Sequence, residues 1–128
     1  MDRFRFRAWN KEEKRMYYDA QNTYDYMAGK PTIFAESFSC LLTNDEEWEV
    51  EQCTGLKDKN GNLIYEGDIV YDSVYENNFV VSWDNDRTGY ILSANNTNHI
   101  DYLSKILIER HNLKTIGNIH KQAKQKDK

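Results

Sequence analysis

TGLKDKNGNLIYEGDIV spans Thr54 to Val70, and how this stretch turns decides the fold. Asn60-Gly61 is a strong hairpin signal, because both residues tolerate the positive φ of a type I′ turn. An apolar run, Leu63, Ile64 and Tyr65, restarts directly after it. Gly67 interrupts that run between Glu66 and Asp68 and supplies a backbone conformation closed to other residues. Asp68 is placed to fold its carboxylate back onto nearby backbone N–H groups. Ile69 and Val70 are β-branched and lead into Tyr71, so a new strand starts at once. Glu66 and Asp68 read as turn residues. As metal ligands they lack a neighbouring histidine or third carboxylate.

Outward from this centre the same period-two grammar recurs. Arg3 to Trp9 alternates, with Phe4, Phe6 and Ala8 on one side and Arg3, Arg5, Arg7 and Trp9 on the other, which predicts a strand with one buried face. A charged turn over 11–14 and a short strand over 16–19 follow. Residues 22–31 are polar and Tyr-rich and read as a loop, and 32–42 fits a helix as well as a strand pair. In the strand expected over 47–52, Glu47, Glu49 and Glu51 share one side. Three arginines on one strand and three glutamates on another predict that the two strands are neighbours, since opposite charges across paired strands contribute roughly 0.2–1 kcal/mol per pair.

Phe79, Val81 and Trp83 alternate as a central strand, 84–89 is a polar turn, and 90–93 returns. Asn98 with Asp101 resembles a capping box. Ile100, Leu103, Ile106 and Leu107 then predict a short helix to about residue 110. Residues 114–120 read as a last strand in which Gly117 marks a bulge or turn. The strand-rich count and the single late helix predict a mainly β fold, a small SH3-like or partly open β-barrel or sandwich with one short C-terminal helix. One β-rich domain over 1–120 is expected, followed by a flexible basic tail over 121–128.

Size and composition set further bounds. A chain of 128 residues can bury a core without disulfides or metal. Nine Tyr, five Phe and three Trp are expected to supply much of the core energy on burial. Cys40 and Cys53 are too few for a disulfide framework and are expected to be free, half-buried thiols. The net charge is −4; with four Lys and one Asp in the tail, the body carries about −7. That argues against a dedicated nucleic-acid binder. No apolar run is long enough to span a membrane. The charged opening MDRFRFRAW has no apolar h-region, so a cytoplasmic location is expected.

Three places resemble the YopX family. FRFRAWNKEEKRMYY resembles the family's opening strand and charged turn. Residues 54–70 are the longest match, and Thr115 to Ile119, TIGNI, resembles the closing strand; VVSWD at 80–84 fits between them. The segment 23–45 departs from the pattern. The resemblance implies a phage or prophage accessory protein acting in the bacterial host cell, with no established activity and no catalytic residues to carry over.

No catalytic motif occurs. A phosphate-binding glycine loop, a nucleophile elbow and metal-ligand spacing are all missing from the sequence. His99, His111 and His120 are scattered, with His111 expected to complement a helix dipole, and Asp84-Asn85-Asp86 reads as a solvated turn rather than a calcium loop. A non-enzymatic module without cofactor or metal is therefore expected. Tyr17, Tyr18, Tyr24 and Tyr26 are the candidate protein-binding group, and the 84–89 loop is expected to be a second contact. Arg3, Arg5, Arg7 and Trp9 are the alternative, a nucleic-acid face. Asn60, Gly61, Gly67, Asp68, Trp83 and Gly117 are structural. The expected partner is a host or phage protein, with self-association through uncovered edge strands and no membrane role.

Overall fold

The computed structural model describes residues 2–25, 30–31 and 36–121. Strands and helices follow in the order β1 (Phe6–Asn10), β2 (Arg15–Tyr18), β3 (Tyr24–Asp25), β4 (Lys30–Pro31), α1 (Phe38–Thr43), β5 (Trp48–Lys57), β6 (Leu63–Tyr65), β7 (Asp68–Asp72), β8 (Asn77–Asp84), β9 (Gly89–Ser93), β10 (Ile100–Tyr102), α2 (Lys105–His111) and β11 (Lys114–Asn118). The chain divides into two compact units, Met1–Cys53 and Thr54–Lys128, and passes from one to the other within β5. The fold is mainly β, as the sequence predicts. The basic tail beyond Lys121, like Tyr26 and Gly29, lies outside the described residues.

In the first unit β1 pairs antiparallel with both β2 and β5. The charged turn between β1 and β2 is organised by buried Asn10, whose Oδ1 accepts the N–H groups of Glu12 and Glu13 at 3.1 and 2.8 Å. The ambiguous 32–42 segment resolves in part into helix α1, because Ser37 caps it by accepting the Cys40 N–H. Leu41 then packs with Ala8 and Ala20, flanked by Phe6, Phe38, Trp48 and Val50. The loop expected over 22–31 contains the short ladder β3–β4.

The second unit is built on an antiparallel sheet in the order β10-β9-β8-β7-β11. Its core is Ile64, Val70, Phe79, Val81, Leu92, Ile108 and Leu113, with Leu56 packed against it. The end of β5, strand β6 and helix α2 thus close over the sheet as in a partly open barrel or sandwich.

Two boundaries differ from the sequence reading. The first strand starts at Phe6, because Asp2–Phe4 forms a 3-10 turn that takes Arg3 out of the ladder. The late helix begins at Lys105, capped by Ser104, whose Oγ accepts the Leu107 N–H at 3.1 Å. Asn98 is therefore no cap; Ile100 and Tyr102 instead pair with β9 opposite Ser93 and Ile91. A β-branched residue and an aromatic gain more from cross-strand packing than from one helical turn. Ile106, expected on the buried helix face, is 62% exposed, and Ile108 is buried in its place.

Candidate functional site

The turn chemistry of residues 54–70 is carried by two buried aspartates. Asp58 N–H donates to the Asn62 carbonyl and Gly61 N–H to the Asp58 carbonyl. Gly61 has φ of +85°, whereas Asn60 is not in the positive-φ region. This is a type I turn closed by a glycine bulge rather than the expected type I′. The reason is Asp58: its Oδ1 accepts the Asn60 and Asn62 N–H groups at 2.9 Å each, which favours the type I geometry. Its Oδ2 accepts the Thr115 N–H at 2.9 Å and so fastens the hairpin to β11. At the next turn Gly67 has φ of +87°, and Asp68 Oδ2 accepts the Tyr65 N–H at 2.8 Å. Gly67 also donates to the Val81 carbonyl and accepts from Ile119. Gly117 follows a register shift between Thr115 and Gly117, so β11 carries a bulge there.

The two strands are neighbours as expected, but the ladders reduce to one arginine–glutamate pair, because Arg3 and Arg5 lie before β1 and Glu47 before β5. Arg7 lies opposite Glu51 and Trp9 opposite Glu49. Arg7 Nε donates to Glu51 Oε1 at 2.7 Å, with both side chains buried. This is not the solvated outer face that alternation implies. Arg7 and Trp9 are buried, Arg3 is exposed in the 3-10 turn, and Arg5 is exposed 3.7 Å from Asp2. The four residues proposed as a nucleic-acid face do not form one exposed surface, because β1 is covered on both sides.

The tyrosine group is also divided. Tyr17 packs edge-on against Trp48 at 5.8 Å and belongs to the first unit's core. Its hydroxyl donates to Glu13 at 2.5 Å, a bond that raises its pKa above the usual phenol value. Tyr18 is exposed. Tyr24 lies on β3 and Tyr26 outside the described residues. Cys53 is buried and Cys40 exposed, both unbridged, so neither is the half-buried thiol expected.

The hairpin joining β8 to β9 gathers exposed side chains of another kind. Trp83, expected on the buried side with Phe79 and Val81, is 45% exposed, because β8 runs past the end of the core. Its Nε1 donates to Asn85 Oδ1 at 2.7 Å, and its ring meets Tyr90 edge-on at 5.2 Å. Asp84 Oδ1 accepts the Asp86 and Arg87 N–H groups, while its Oδ2 accepts from the Arg87 guanidinium at 2.6 Å. That guanidinium bond holds the Asp84 carboxyl below the usual carboxylate range and raises Arg87 in turn. Tyr102, also exposed, lies over Gly89, where an added Cβ would stand 3.7 Å from its ring. Arg87 and Tyr102 carry no motif. The Asp84 turn fixes the first, and the pairing of β10 with β9 places the second.

A second feature of this unit is an open cleft of about 400 Å³ between the 58–62 turn and α2. Exposed Lys57, Lys59 and Lys105 line it with Glu109. None of the three lysines is in an ion pair among the described residues. Asp58, in the same lining, is already occupied by three amides.

The model of the family described as YopX protein matches residues 5–125. The chain belongs to the YopX family. A search of curated proteins finds no match. Among solved structures, protein EF1440 from Enterococcus faecalis superimposes with a TM-score of 0.60 at 22% identity, over 91% of this chain and 92% of that one. At that identity the likeness supports the fold and leaves function to the surface of this YopX chain.

Proposed function

We propose that this YopX protein is a non-enzymatic protein-binding module of phage or prophage origin, acting in the cytoplasm of the bacterial host. The hairpin over 84–89 would meet a host or phage protein. One observation carries the reading: Trp83, Arg87 and Tyr102 are exposed around one hairpin end, and hydrogen bonds or ring contacts fix the first two in place. Trp, Arg and Tyr are the residue types that dominate binding energy at protein interfaces. Holding them in one geometry before binding reduces the ordering cost of association. Tyr18, from the tyrosine group, is exposed and accessible to a partner. Strand β10, at the end of its sheet order, would support self-association by edge pairing.

The experiment is affinity capture from infected-host lysate with the wild type and a W83A/R87A variant, with and without nuclease. A nuclease-resistant protein that is captured at least about tenfold less by the variant supports the reading, hot-spot losses being about 2 kcal/mol or more. Equal capture by a variant that melts normally overturns it.

The lysine cleft favours a second reading, contact with a nucleic-acid backbone. Binding would then weaken steeply with salt, and a K57E/K59E/K105E variant would abolish it. Salt-independent binding, or binding that survives the variant, removes this reading.

A further inference from the structure

The turn between β7 and β8 holds an arrangement that neither reading uses. The Tyr75 ring, 47% exposed, stands between two imidazoles, with centroids 4.8 Å from His99 and 5.3 Å from His111, and meets Phe79 edge-on at 6.2 Å. Both imidazoles are fixed by carboxylates. His99 Nε2 lies 2.7 Å from Asp101 Oδ2, and His111 Nδ1 lies 2.6 Å from buried Asp72. Asp72 in turn accepts the Val74 and Tyr75 N–H groups at 2.8 and 3.0 Å, so the tyrosine is positioned through its backbone as well as its ring.

The Tyr75, Phe79 and His99 rings border a cavity of about 300 Å³ that Asn77 and Thr97 also line. Phe79 is buried and gives an apolar floor. The Asn77 and Asn96 amides exchange hydrogen bonds at 3.0 and 3.4 Å, and Asn77, which lines the cavity, keeps one N–H to offer. With Nε2 committed to Asp101, His99 Nδ1 remains for a ligand.

We propose that this cavity binds the base of a nucleotide. A planar heteroaromatic ring stacks on exposed tyrosine and imidazole faces, and its edge presents polar atoms that the Asn77 amide N–H and His99 Nδ1 meet. An aliphatic ligand would leave the Asn77 N–H and His99 Nδ1 unmet, and a sugar or phosphate alone would leave the ring faces bare. The same chemistry serves a free nucleotide and an unstacked base of a single strand.

The test is amide-detected NMR titration of the full chain with adenosine, cytidine, ribose, and a short single-stranded oligonucleotide. The expected result is saturable shifts at Asn77, Thr97 and His99 with the nucleosides or the oligonucleotide and none with ribose. Y75A is expected to weaken binding by roughly tenfold or more, as loss of a stacking platform does, while Y75F retains it. H99A, a change in an exposed loop, gives the same loss should Y75A fail to fold. Tighter, salt-sensitive binding of the oligonucleotide assigns the base to a strand, and equal affinity assigns it to a free nucleotide. Absence of saturable shifts at millimolar concentration, or shifts unaltered in both Y75A and H99A, overturns the proposal.

Discussion

In the first unit Glu51 is buried against a guanidinium, whereas in the second Asp58, Asp68 and Asp72 are buried mainly against backbone N–H groups. Both arrangements hold a charge away from water, and they differ in what the charge fixes. Glu51 and Arg7 are 44 residues apart, so their pair sets the register of β1 on β5. Each aspartate first sets a turn of its own chain, and Asp58 and Asp72 then reach one distant group, the Thr115 N–H and the His111 ring. An ion pair depends on a partner side chain that one substitution can remove. A carboxylate on amides depends on a backbone that is always there, so its weak point is the carboxylate itself.

The comparison is tested most severely by removing one half of the ion pair. R7A leaves Glu51 buried without its guanidinium, and a loss of about 3–5 kcal/mol is expected in denaturant unfolding. Replacing both, as R7M/E51L, removes the charge as well as the partner and is expected to recover most of that loss. A double variant no better than R7A would mean that the pair contributes more than mutual compensation. For the amide device the corresponding change is D58A, which deprives three N–H groups of one acceptor. With charged hydrogen bonds worth about 1.5–3 kcal/mol and partial replacement by water, a loss of about 2–4 kcal/mol is expected. Amide exchange would quicken at Asn60, Asn62 and Thr115 together. Faster exchange at the hairpin alone would show that the link to β11 is independent of Asp58.

The two devices were unequally legible in the sequence. The ladders announced themselves by alternation, and charge complementarity named the strand pair; burial stayed hidden because period two cannot tell a solvated face from a second covered one. The Asp68 turn was readable from Gly67. The Asp58 turn was misread because Asn60-Gly61 is the louder signal, although an aspartate two residues earlier selects another turn. The helix start was misplaced because Asn98 with Asp101 resembles a capping box; the pairing of Ile100 and Tyr102 with β9 delays the helix to Lys105, behind Ser104. The accessible surface was the least legible. Tyr17 and Trp83 exchanged expected roles because exposure depends on where each strand outruns its core, which no local pattern records.

The smallest expected effect concerns Asp84, an acidic turn residue that combines both devices: two backbone N–H groups on one oxygen and a guanidinium on the other. Its pKa is depressed in the folded chain, chiefly by the Arg87 bond. A depressed carboxyl stabilises the fold above its unfolded pKa, and that contribution disappears as pH falls through the lower folded value. Neutral pH therefore keeps the clasp closed, and acidification below the usual carboxylate range opens it. Because the Arg87 half of the pair is exposed and screened by solvent, global stability should scarcely respond. The local readout is the Trp83 indole N–H, bonded to Asn85 in the same turn. Its resonance should move with the Asp84 titration in the wild type and lose that dependence in D84N. An indole signal that follows the same acid titration in D84N would show that Arg87 is held by something other than this carboxylate, and the hairpin end would lose its claim to be fixed in advance of binding.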